Sequence, residues 1–198
     1  MKILGAIIAG GHSTRMGGVE KSFLALAGAT LLERTLSRLR FQVDDVVINA
    51  NGDASRFAAT GVVVVGDVLT DVGTPLAGLQ AALCYGSSNG FDAVVTVPSD
   101  APFLPLDLVK RLLEGGEDTG AAIARSAGQD HYLTGIWTTA MAKPLGRLIE
   151  TEGMKRVQDF VTRAKAEKVV WAAVPHDPFF NINTPEDLAV AEMMAQEI

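Results

Sequence analysis

The sequence feature that most constrains the fold is a short apolar segment that ends abruptly in a glycine-rich loop. Residues 3–9 include three isoleucines, as expected of a strand buried within a parallel sheet. Gly10 and Gly11 follow directly, and the loop continues through two more glycines to Lys21. Glycines in this position let the backbone approach a ligand and direct its N–H groups toward it. The pattern predicts a β-strand followed by a loop that binds an anion.

The loop also contains the side chains expected around phosphate groups. Ser13 supplies a hydroxyl donor, and Arg15 and Lys21 supply two cations. The spacing excludes two named phosphate loops, because the dinucleotide fingerprint needs G-x-G-x-x-G and the Walker A loop needs a glycine where Glu20 stands. A plain turn between a strand and a helix needs fewer glycines and no cations, so a phosphate site is favoured.

Composition bounds the size of the protein and the class of its ligand. A chain of 198 residues, 48% apolar and 20% charged, predicts one globular domain with a sizeable core. The formal charge of −6 argues against nucleic acid as a partner, because a phosphate backbone requires a broad basic surface. The single Cys84 fits a reducing cytoplasm, and no apolar run approaches membrane-spanning length. We therefore expect a cytoplasmic protein that binds a small anionic ligand and does not associate with a membrane.

Strands and helices alternate along most of the chain. After the first strand, we expect strands at 46–48, 62–65, 93–97, 121–124, 132–137 and 169–174. We expect helices at 31–40 with Thr30 as N-cap, from Pro75 to about 85, from Pro105 onward, at 139–149 and 154–164, and from Pro185 to about 196. A polar turn is expected at 128–131. This alternation predicts an α/β fold, with a mostly parallel sheet between helices on both faces.

Polar residues follow several of these strands at the point where each strand ends. Asn49 and Asn51 follow the second strand, Asp67 the third and Asp100 the fourth. Carboxyl ends of parallel strands share one edge of a sheet, and ligands bind there in open α/β folds. Opposite a phosphate loop, Asp100 suits Mg²⁺, which prefers one or two carboxylates with phosphate oxygens and waters. For Asp100 and Asp67 the alternative of a turn former or helix cap stays open.

Several motifs resemble those of the molybdenum cofactor guanylyltransferases. They are Ile8-Ala9-Gly10-Gly11-x-Ser13-x-Arg15-Met16-Gly17 with Lys21, Asn49-Ala50-Asn51, Asp67, Pro75-Leu76-Ala77-Gly78, Pro98-Ser99-Asp100-x-Pro102 and Asn181-x-Asn183-Thr184-Pro185-Glu186-Asp187-Leu188. The resemblance spans nearly the whole chain. It implies a single nucleotidyltransferase domain over 1–198, a Rossmann-like three-layer αβα sandwich similar to the nucleotide-diphospho-sugar transferases. The pair Gly10-Gly11 is similar to the guanylyl branch, whereas related cytidylyltransferases usually have Ala-Gly.

The resemblance implies transfer of GMP from GTP to the phosphate of molybdopterin, with release of pyrophosphate and with Mg²⁺ as cofactor. GTP would bind to the N-terminal half of the chain, and molybdopterin would bind to the C-terminal half. The implied nucleotide-binding residues are Ile8, Ala9, Gly10, Gly11, Ser13, Lys21, Asn49, Asp67 and Asp100. The implied catalytic residues are Arg15, Lys21 and Asp100, with Asp100 as the Mg²⁺ ligand, and Arg156, Asn181 and Asn183 are implied to bind molybdopterin. Implied protein partners are molybdenum-insertion proteins and apo-molybdoenzymes, in transient contact.

Two other classes of function stay open at this point. One is another nucleotidyltransferase of the same fold, acting on molybdopterin with CTP or on a sugar or polyol phosphate. The other is a non-catalytic nucleotide-binding protein that delivers the cofactor.

The chain departs from the family pattern at Thr74. This residue stands where the family motif Gly-Pro-Leu-Ala-Gly has its first glycine, and Gly73 lies one position earlier. A left-handed backbone at Thr74 would be strained.

Overall fold

The structure is a computed structural model that describes residues 1–9, 20–69 and 73–197. The strands in these ranges are β1 (Ile3–Ile8), β2 (Ala25–Leu26), β3 (Ala29–Thr30), β4 (Asp45–Asn49), β5 (Val63–Val65), β6 (Ala93–Pro98), β7 (Ala121–Ser126), β8 (Gln129–Thr138) and β9 (Glu167–Trp171). The α-helices are α1 (Leu31–Arg40), α2 (Pro75–Ser88), α3 (Leu108–Gly115), α4 (Ala142–Glu152), α5 (Val157–Arg163) and α6 (Pro185–Gln196). Short 3-10 helices cover Lys21–Phe23, Ala54–Thr60 and Thr139–Met141. None of these helices is long and apolar enough to cross a membrane.

A mostly parallel sheet forms the centre of the molecule. Among the described residues, seven strands lie in the order β5-β4-β1-β6-β8-β7-β9, and β2 and β3 form a separate hairpin. Strands β5, β4, β1 and β6 are parallel to one another, β8 is antiparallel to both of its neighbours, and β9 is parallel to β7. The carboxyl ends of all strands except β8 therefore lie along one edge of this sheet.

Helices cover both faces of the sheet. In β1, Ile3 and Ile7 pack in the core beneath α1 and α3, whereas Leu4 and Ile8 pack in the core beneath α2, α4 and α5. This alternation follows from the two-residue period of a strand. Each fully buried Leu or Ile side chain contributes about 1.5–3 kcal/mol relative to an exposed one. The predicted three-layer αβα sandwich is confirmed.

A third, smaller core attaches the C-terminal helix to the hairpin. Leu26 of the hairpin and Leu31 at the start of α1 pack with Ile182, Ala191 and Met194. Ile182 is fully buried there, although its neighbours Asn181 and Asn183 are exposed. The segment that precedes α6 is thereby held next to the segment that follows the glycine-rich loop.

Three helices, α1, α2 and α6, begin at the residues that the sequence predicts, and two of them begin with a capping box. At α1, Thr30 Oγ1 accepts a hydrogen bond from Glu33 N at 3.2 Å, and Glu33 Oε2 accepts one from Thr30 N at 2.7 Å. At α6, Thr184 Oγ1 accepts from Asp187 N at 3.1 Å, and Asp187 Oδ2 accepts from Thr184 N at 2.9 Å. Both are capping boxes, which satisfy N–H groups that have no partner within the helix.

The helix predicted to open at Pro105 begins three residues later, at Leu108. The side chain of Gln42, two residues after the end of α1, explains the difference. Its Nε2 donates to Pro105 O at 3.0 Å, and its Oε1 accepts from Val109 N at 3.1 Å. The segment 105–107 is therefore a turn that the Gln42 side chain holds in place.

In the second half of the chain, the strand boundaries differ from the prediction because they depend on how each strand pairs with its neighbour. Strand β9 ends at Trp171 rather than at 174, because its ladder with β7 ends where β7 ends, at Ser126. Residues 129–131 belong to β8 rather than to a turn. The reversal needs only Ala127 and Gly128, which have φ values of +48° and +78°.

Helix boundaries in the same region also shift. The helix predicted at 139–149 begins as a 3-10 helix and continues as α4 to Glu152. The helix predicted at 154–164 begins only at Val157. Gly153, with φ +68°, closes α4 in the left-handed conformation, and Arg156 is the extended N-cap of α5.

Strand β8 contains a glycine whose substitution tests the packing of the sheet. A Cβ at Gly135 would lie 2.6 Å from Ala122 O and 3.1 Å from a Trp137 ring carbon. Because backbone cannot move aside cheaply, Gly135→Ala should lower the free energy of unfolding by about 1–3 kcal/mol. Urea denaturation measures this loss.

Gly146→Ala in α4 is the matched control. Its nearest neighbour would be Gln80 Nε2 at 3.5 Å, which is ordinary contact. Alanine has the higher helix propensity, so this variant should be as stable as the original or up to about 1 kcal/mol more stable. Equal effects of the two substitutions would contradict the packing of β8 between β6 and β7.

Candidate active site

The parallel strands bring several of the predicted residues to one edge of the sheet. Ile8 at the end of β1 is the register partner of Asn49 on one side and of Pro98 on the other. Asn49 is in turn opposite Val65 at the end of β5. Ala9 N continues this pairing and donates to Asn49 O at 2.9 Å. The residues that follow β4, β5 and β6 therefore meet beside the start of the glycine-rich loop.

Two asparagines and one aspartate form a hydrogen-bonded network at this edge. Asn49 Nδ2 donates to Asp67 Oδ1 at 3.0 Å and to Val65 O at 3.1 Å. Asn51 Nδ2 donates to Asp67 Oδ2 at 2.7 Å, and Asn51 Oδ1 accepts from Asp67 N at 2.9 Å. Asn49 is only 1% exposed. The network fixes the orientation of the Asp67 carboxylate and of both amides.

Helix α2 closes one side of this network. A Cβ at Gly78 would lie 2.2 Å from Asn49 Oδ1, so only glycine fits there. The turn before the helix places its left-handed residue at Gly73, with φ +58°, whereas Thr74 has φ −127° in the extended region. The strain considered at Thr74 does not arise, because the glycine one position earlier adopts the left-handed conformation. Pro75 then begins the helix.

A second cluster surrounds the end of β6. Lys21 Nζ lies 3.8 Å from Asp100 Oδ2, and the two side chains are 13% and 19% exposed. The same ammonium group donates to Asn183 Oδ1 at 2.5 Å. Burial raises the pKa of the Asp100 carboxyl, and the nearby Lys21 ammonium opposes that rise only in part. The ionised carboxylate is thus less stable here than in water, and it would gain from an additional cation.

Three backbone and side-chain contacts hold this cluster together. Ser22 Oγ and Ser99 Oγ, both buried, lie 2.9 Å apart and join the Lys21 segment to the end of β6. Ile182 N donates to Asp100 O at 3.3 Å and joins the segment before α6 to the same place. An ion pair of 3.1 Å between Arg56 Nε and Glu20 Oε2 holds the other side of Lys21.

The donor set fits a magnesium ion that is shared with a substrate. No group of three or more acidic, histidine or cysteine side chains that could hold a metal occurs among residues 1–9, 20–69 and 73–197. Mg²⁺ does not need such a cage, since it commonly binds one carboxylate together with phosphate oxygens and waters. Asp100 offers one carboxylate whose ionised form burial disfavours, and a cation at that carboxylate would offset the burial.

The remaining predicted residues are distributed differently. Gly10, Gly11, Ser13 and Arg15 lie outside the described part of the chain. Arg156 is exposed at the N-cap of α5, where it forms two hydrogen bonds with Asp159 of 2.7 and 3.0 Å that raise the pKa of its guanidinium. Asn181 is exposed, and its side chain makes no hydrogen bond within the described residues.

Sequence reasoning did not identify one polar cluster farther along the same edge. Ser126 Oγ donates to Asp177 Oδ1 at 2.6 Å and lies 2.7 Å from His131 Nε2. The His131 ring lies 4.8 Å from the Phe179 ring, and burial lowers the pKa of His131 against the opposing effects of Asp177 and Asp130. Ser126 and Asp177 are 51 positions apart, so no spacing in the sequence indicates the cluster.

Comparison with known proteins identifies the family. Residues 5–169 match the MobA-like NTP transferase domain. A molybdenum cofactor guanylyltransferase of Bradyrhizobium sp. (strain ORS 278) is 43% identical over 195 residues, covering 96% of this chain and 92% of the relative. One from Cereibacter sphaeroides (strain ATCC 17023) is 40% identical over 198 residues, covering 100% of this chain and 99% of the relative.

Solved structures agree with this relationship. Molybdopterin-guanine dinucleotide biosynthesis protein A from Archaeoglobus fulgidus has a TM-score of 0.75 at 25% identity, covering 98% of this chain and 100% of its own. A 2-C-methyl-D-erythritol 4-phosphate cytidylyltransferase from Thermus thermophilus has a TM-score of 0.72 at 21% identity, covering 99% and 100%, and shares the fold. With the strand-end residues in place and relatives matching nearly its full length, the chain belongs to the MobA-like NTP transferase domain family.

Proposed function

We propose that this protein transfers GMP from GTP to the terminal phosphate of molybdopterin and releases pyrophosphate. The observation that carries the proposal is the convergence of Lys21 and Asp100 at the end of β6, beside the start of the glycine-rich loop. A cation and a carboxylate disfavoured by burial suit a magnesium-bound polyphosphate. The family and the names of its curated relatives support guanine nucleotide and molybdopterin as the two substrates.

In this proposal the two clusters bind different parts of the nucleotide. Asp67 contacts the nucleoside, and Asn49, which is buried, contributes to nucleotide binding by holding the Asp67 carboxylate in place at the ends of β4 and β5. Ile8, Ala9 and the loop residues Gly10, Gly11 and Ser13 bind GTP through backbone and hydroxyl groups. Lys21 and Arg15 neutralise phosphate charge.

The chemistry requires little beyond positioning and charge. An oxygen of the molybdopterin phosphate attacks the α-phosphorus of GTP, and the bond from that phosphorus to the α–β bridging oxygen breaks. Pyrophosphate leaves with the electron pair, and Lys21 stabilises the charge that develops on the phosphate oxygens. The attacking phosphate is already anionic, so no general base is needed. Asp100 would hold Mg²⁺, which supplies charge neutralisation and a template for the phosphates.

The acceptor would bind on the C-terminal side. Asn181 and Asn183 are exposed in the segment before α6, which contacts Asp100 through Ile182 N, so an acceptor bound there lies next to the reacting phosphates. Arg156, exposed at the start of α5, is proposed to bind a phosphate or carbonyl group of the pterin. A cytoplasmic location and transient contact with molybdenum-insertion proteins and apo-molybdoenzymes belong to the same proposal.

The direct test of the function is analysis of the product. The wild-type protein is incubated with equal concentrations of GTP and CTP, with Mg²⁺ and molybdopterin, and the pterin product is analysed by mass. We expect a mass increase by one GMP unit, together with one pyrophosphate per product, and no product when Mg²⁺ is omitted. A CMP adduct would indicate a cytidylyltransferase, and bound nucleotide without any adduct would indicate a cofactor-delivery protein.

The role of Asp100 can be tested by removing its charge at nearly constant shape. Asp100→Asn should lower magnesium-dependent pyrophosphate release by at least about 10²-fold, because the carboxylate ligand is lost. The unfolding midpoint in urea should not fall at neutral pH. A carboxyl whose pKa is raised by folding destabilises the folded protein when ionised, and an amide avoids that cost.

Asp92→Asn is the matched control for this substitution. Asp92 lies at the opposite end of β6, where it is exposed and accepts a hydrogen bond from Lys2 N at 2.6 Å. This variant should retain turnover. If Asp100→Asn retains turnover as well, Asp100 is not the metal ligand.

A further inference from the structure

Asn183 makes a contact that the acceptor role does not explain. Its Oδ1 accepts a hydrogen bond from Lys21 Nζ at 2.5 Å, whereas Asp100 Oδ2 lies at the longer distance of 3.8 Å from the same ammonium group. Among the described residues, the closest partner of Lys21 is therefore a neutral amide oxygen, supplied by a residue 162 positions later in the sequence.

The backbone on both sides of Asn183 is fixed. Asn183 N donates to Asp187 Oδ2 at 2.8 Å, which also accepts from Thr184 N in the capping box of α6. The hydrogen bond from Asn183 N is the main reason why the pKa of Asp187 lies below its ordinary value. On the other side, Ile182 is fully buried, and its N–H donates to Asp100 O. The Asn183 side chain is thus directed at Lys21 by a rigid backbone.

The group that accepts the hydrogen bond from Lys21 determines how much of the lysine's positive charge remains available to a phosphate. A carboxylate at this distance would neutralise the ammonium, and it would also repel phosphate oxygens. An amide oxygen orients one N–H of Lys21 and leaves its positive charge in place. Within the described residues, the Lys21 ammonium makes no other hydrogen bond, and the carboxylate that pairs with it is Asp100 at 3.8 Å.

We propose that Asn183 is a positioning residue for the nucleotide, which orients Lys21 toward the phosphates and holds it away from Asp100 without neutralising it. The inference rests on the proposed function and extends it, because Asn183 then acts on the nucleotide side of the site in addition to any contact with the acceptor. It also explains why the segment before α6 is attached to the end of β6 by a backbone hydrogen bond.

The test is calorimetric titration of GTP in the presence of Mg²⁺ and in the absence of molybdopterin. A hydrogen bond to a charged group is lost in Asn183→Ala, so we expect GTP affinity to fall by about tenfold. Asn183→Asp should bind GTP more weakly than Asn183→Ala, because the new carboxylate pairs with Lys21. Weaker GTP binding by Asn183→Asp than by Asn183→Ala is the result that only the positioning role predicts. A role in packing alone predicts the reverse, since aspartate has almost the shape of asparagine.

Two further variants separate this role from others. Glu186→Gln, three residues later and exposed in the first turn of α6, should bind GTP as the wild type does, because Glu186 is not a hydrogen-bond or ion-pair partner of Lys21. In a Lys21→Ala background, Asn183→Ala should weaken GTP binding by less than about twofold, since the group that it positions is gone. Thermal unfolding of each variant shows that it is folded, and negative charge near the start of α6 favours the fold of Asn183→Asp.

The outcomes distinguish the inference from the proposed function. Wild-type affinity for GTP in Asn183→Ala, or stronger binding by Asn183→Asp than by Asn183→Ala, would overturn the positioning role while GTP binding by the wild type still stands. Absence of GTP binding by the wild-type protein would overturn the proposed function, and the inference with it.

Discussion

The ion pair between Lys21 and Asp100 is the interaction on which the arrangement of the site depends. Both side chains are more than four-fifths withdrawn from solvent, and they lie 3.8 Å apart. Burying two charges costs free energy that a single long contact does not recover fully, as the raised pKa of Asp100 indicates. The fold tolerates this cost because three separate segments converge there: the chain after the glycine-rich loop, the end of β6, and the chain before α6. Their convergence leaves a pair of charges that a magnesium-bound polyphosphate would stabilise.

The two polar clusters at the sheet edge differ in how completely they are satisfied. Asn49, Asn51 and Asp67 bond to one another and to backbone groups, which makes a rigid surface suited to recognising a nucleoside. Lys21 and Asp100 are not hydrogen-bonded to each other, because the Lys21 ammonium donates to Asn183 instead. The Ser22–Ser99 contact joins the two segments that carry them. A hydrogen-bonded polar surface next to an incompletely satisfied pair of charges is consistent with the proposed nucleotide transfer. The first would hold the nucleoside in place, and the second would stabilise the charge that develops on the phosphates.

Local features could be predicted from the sequence with good accuracy. The capping boxes at Thr30 and Thr184 marked helix starts, and the apolar segments gave the central strands of the sheet. Polar residues after strands predicted the edge at which Asn49, Asp67 and Asp100 now lie. These predictions succeeded because each depends on a few neighbouring residues, or on the general rule that parallel strands end at one edge.

Features that depend on tertiary contact could not be predicted. The contact between Lys21 and Asn183 joins residues 162 positions apart, and its two partners have no spacing relationship. The delayed start of α3 results from the side chain of Gln42, which lies in the turn after α1, and the end of β9 is set by the length of its partner β7. Asn183 could be predicted only as a residue of the acceptor side, since nothing in its neighbourhood indicates a lysine.

The most direct test of this account is titration of the Asp100 carboxyl group by carbon-detected NMR, with and without Mg²⁺ and GTP. Asp53, an exposed residue whose pKa is lowered by hydrogen bonds from Ser55, serves as the internal reference. We expect Asp100 to titrate at a higher pH than Asp53 in the free protein, and its pKa to fall when Mg²⁺ and GTP are added. A pKa of Asp100 at the ordinary value of an exposed aspartate, unchanged by Mg²⁺ and GTP, would contradict this expectation.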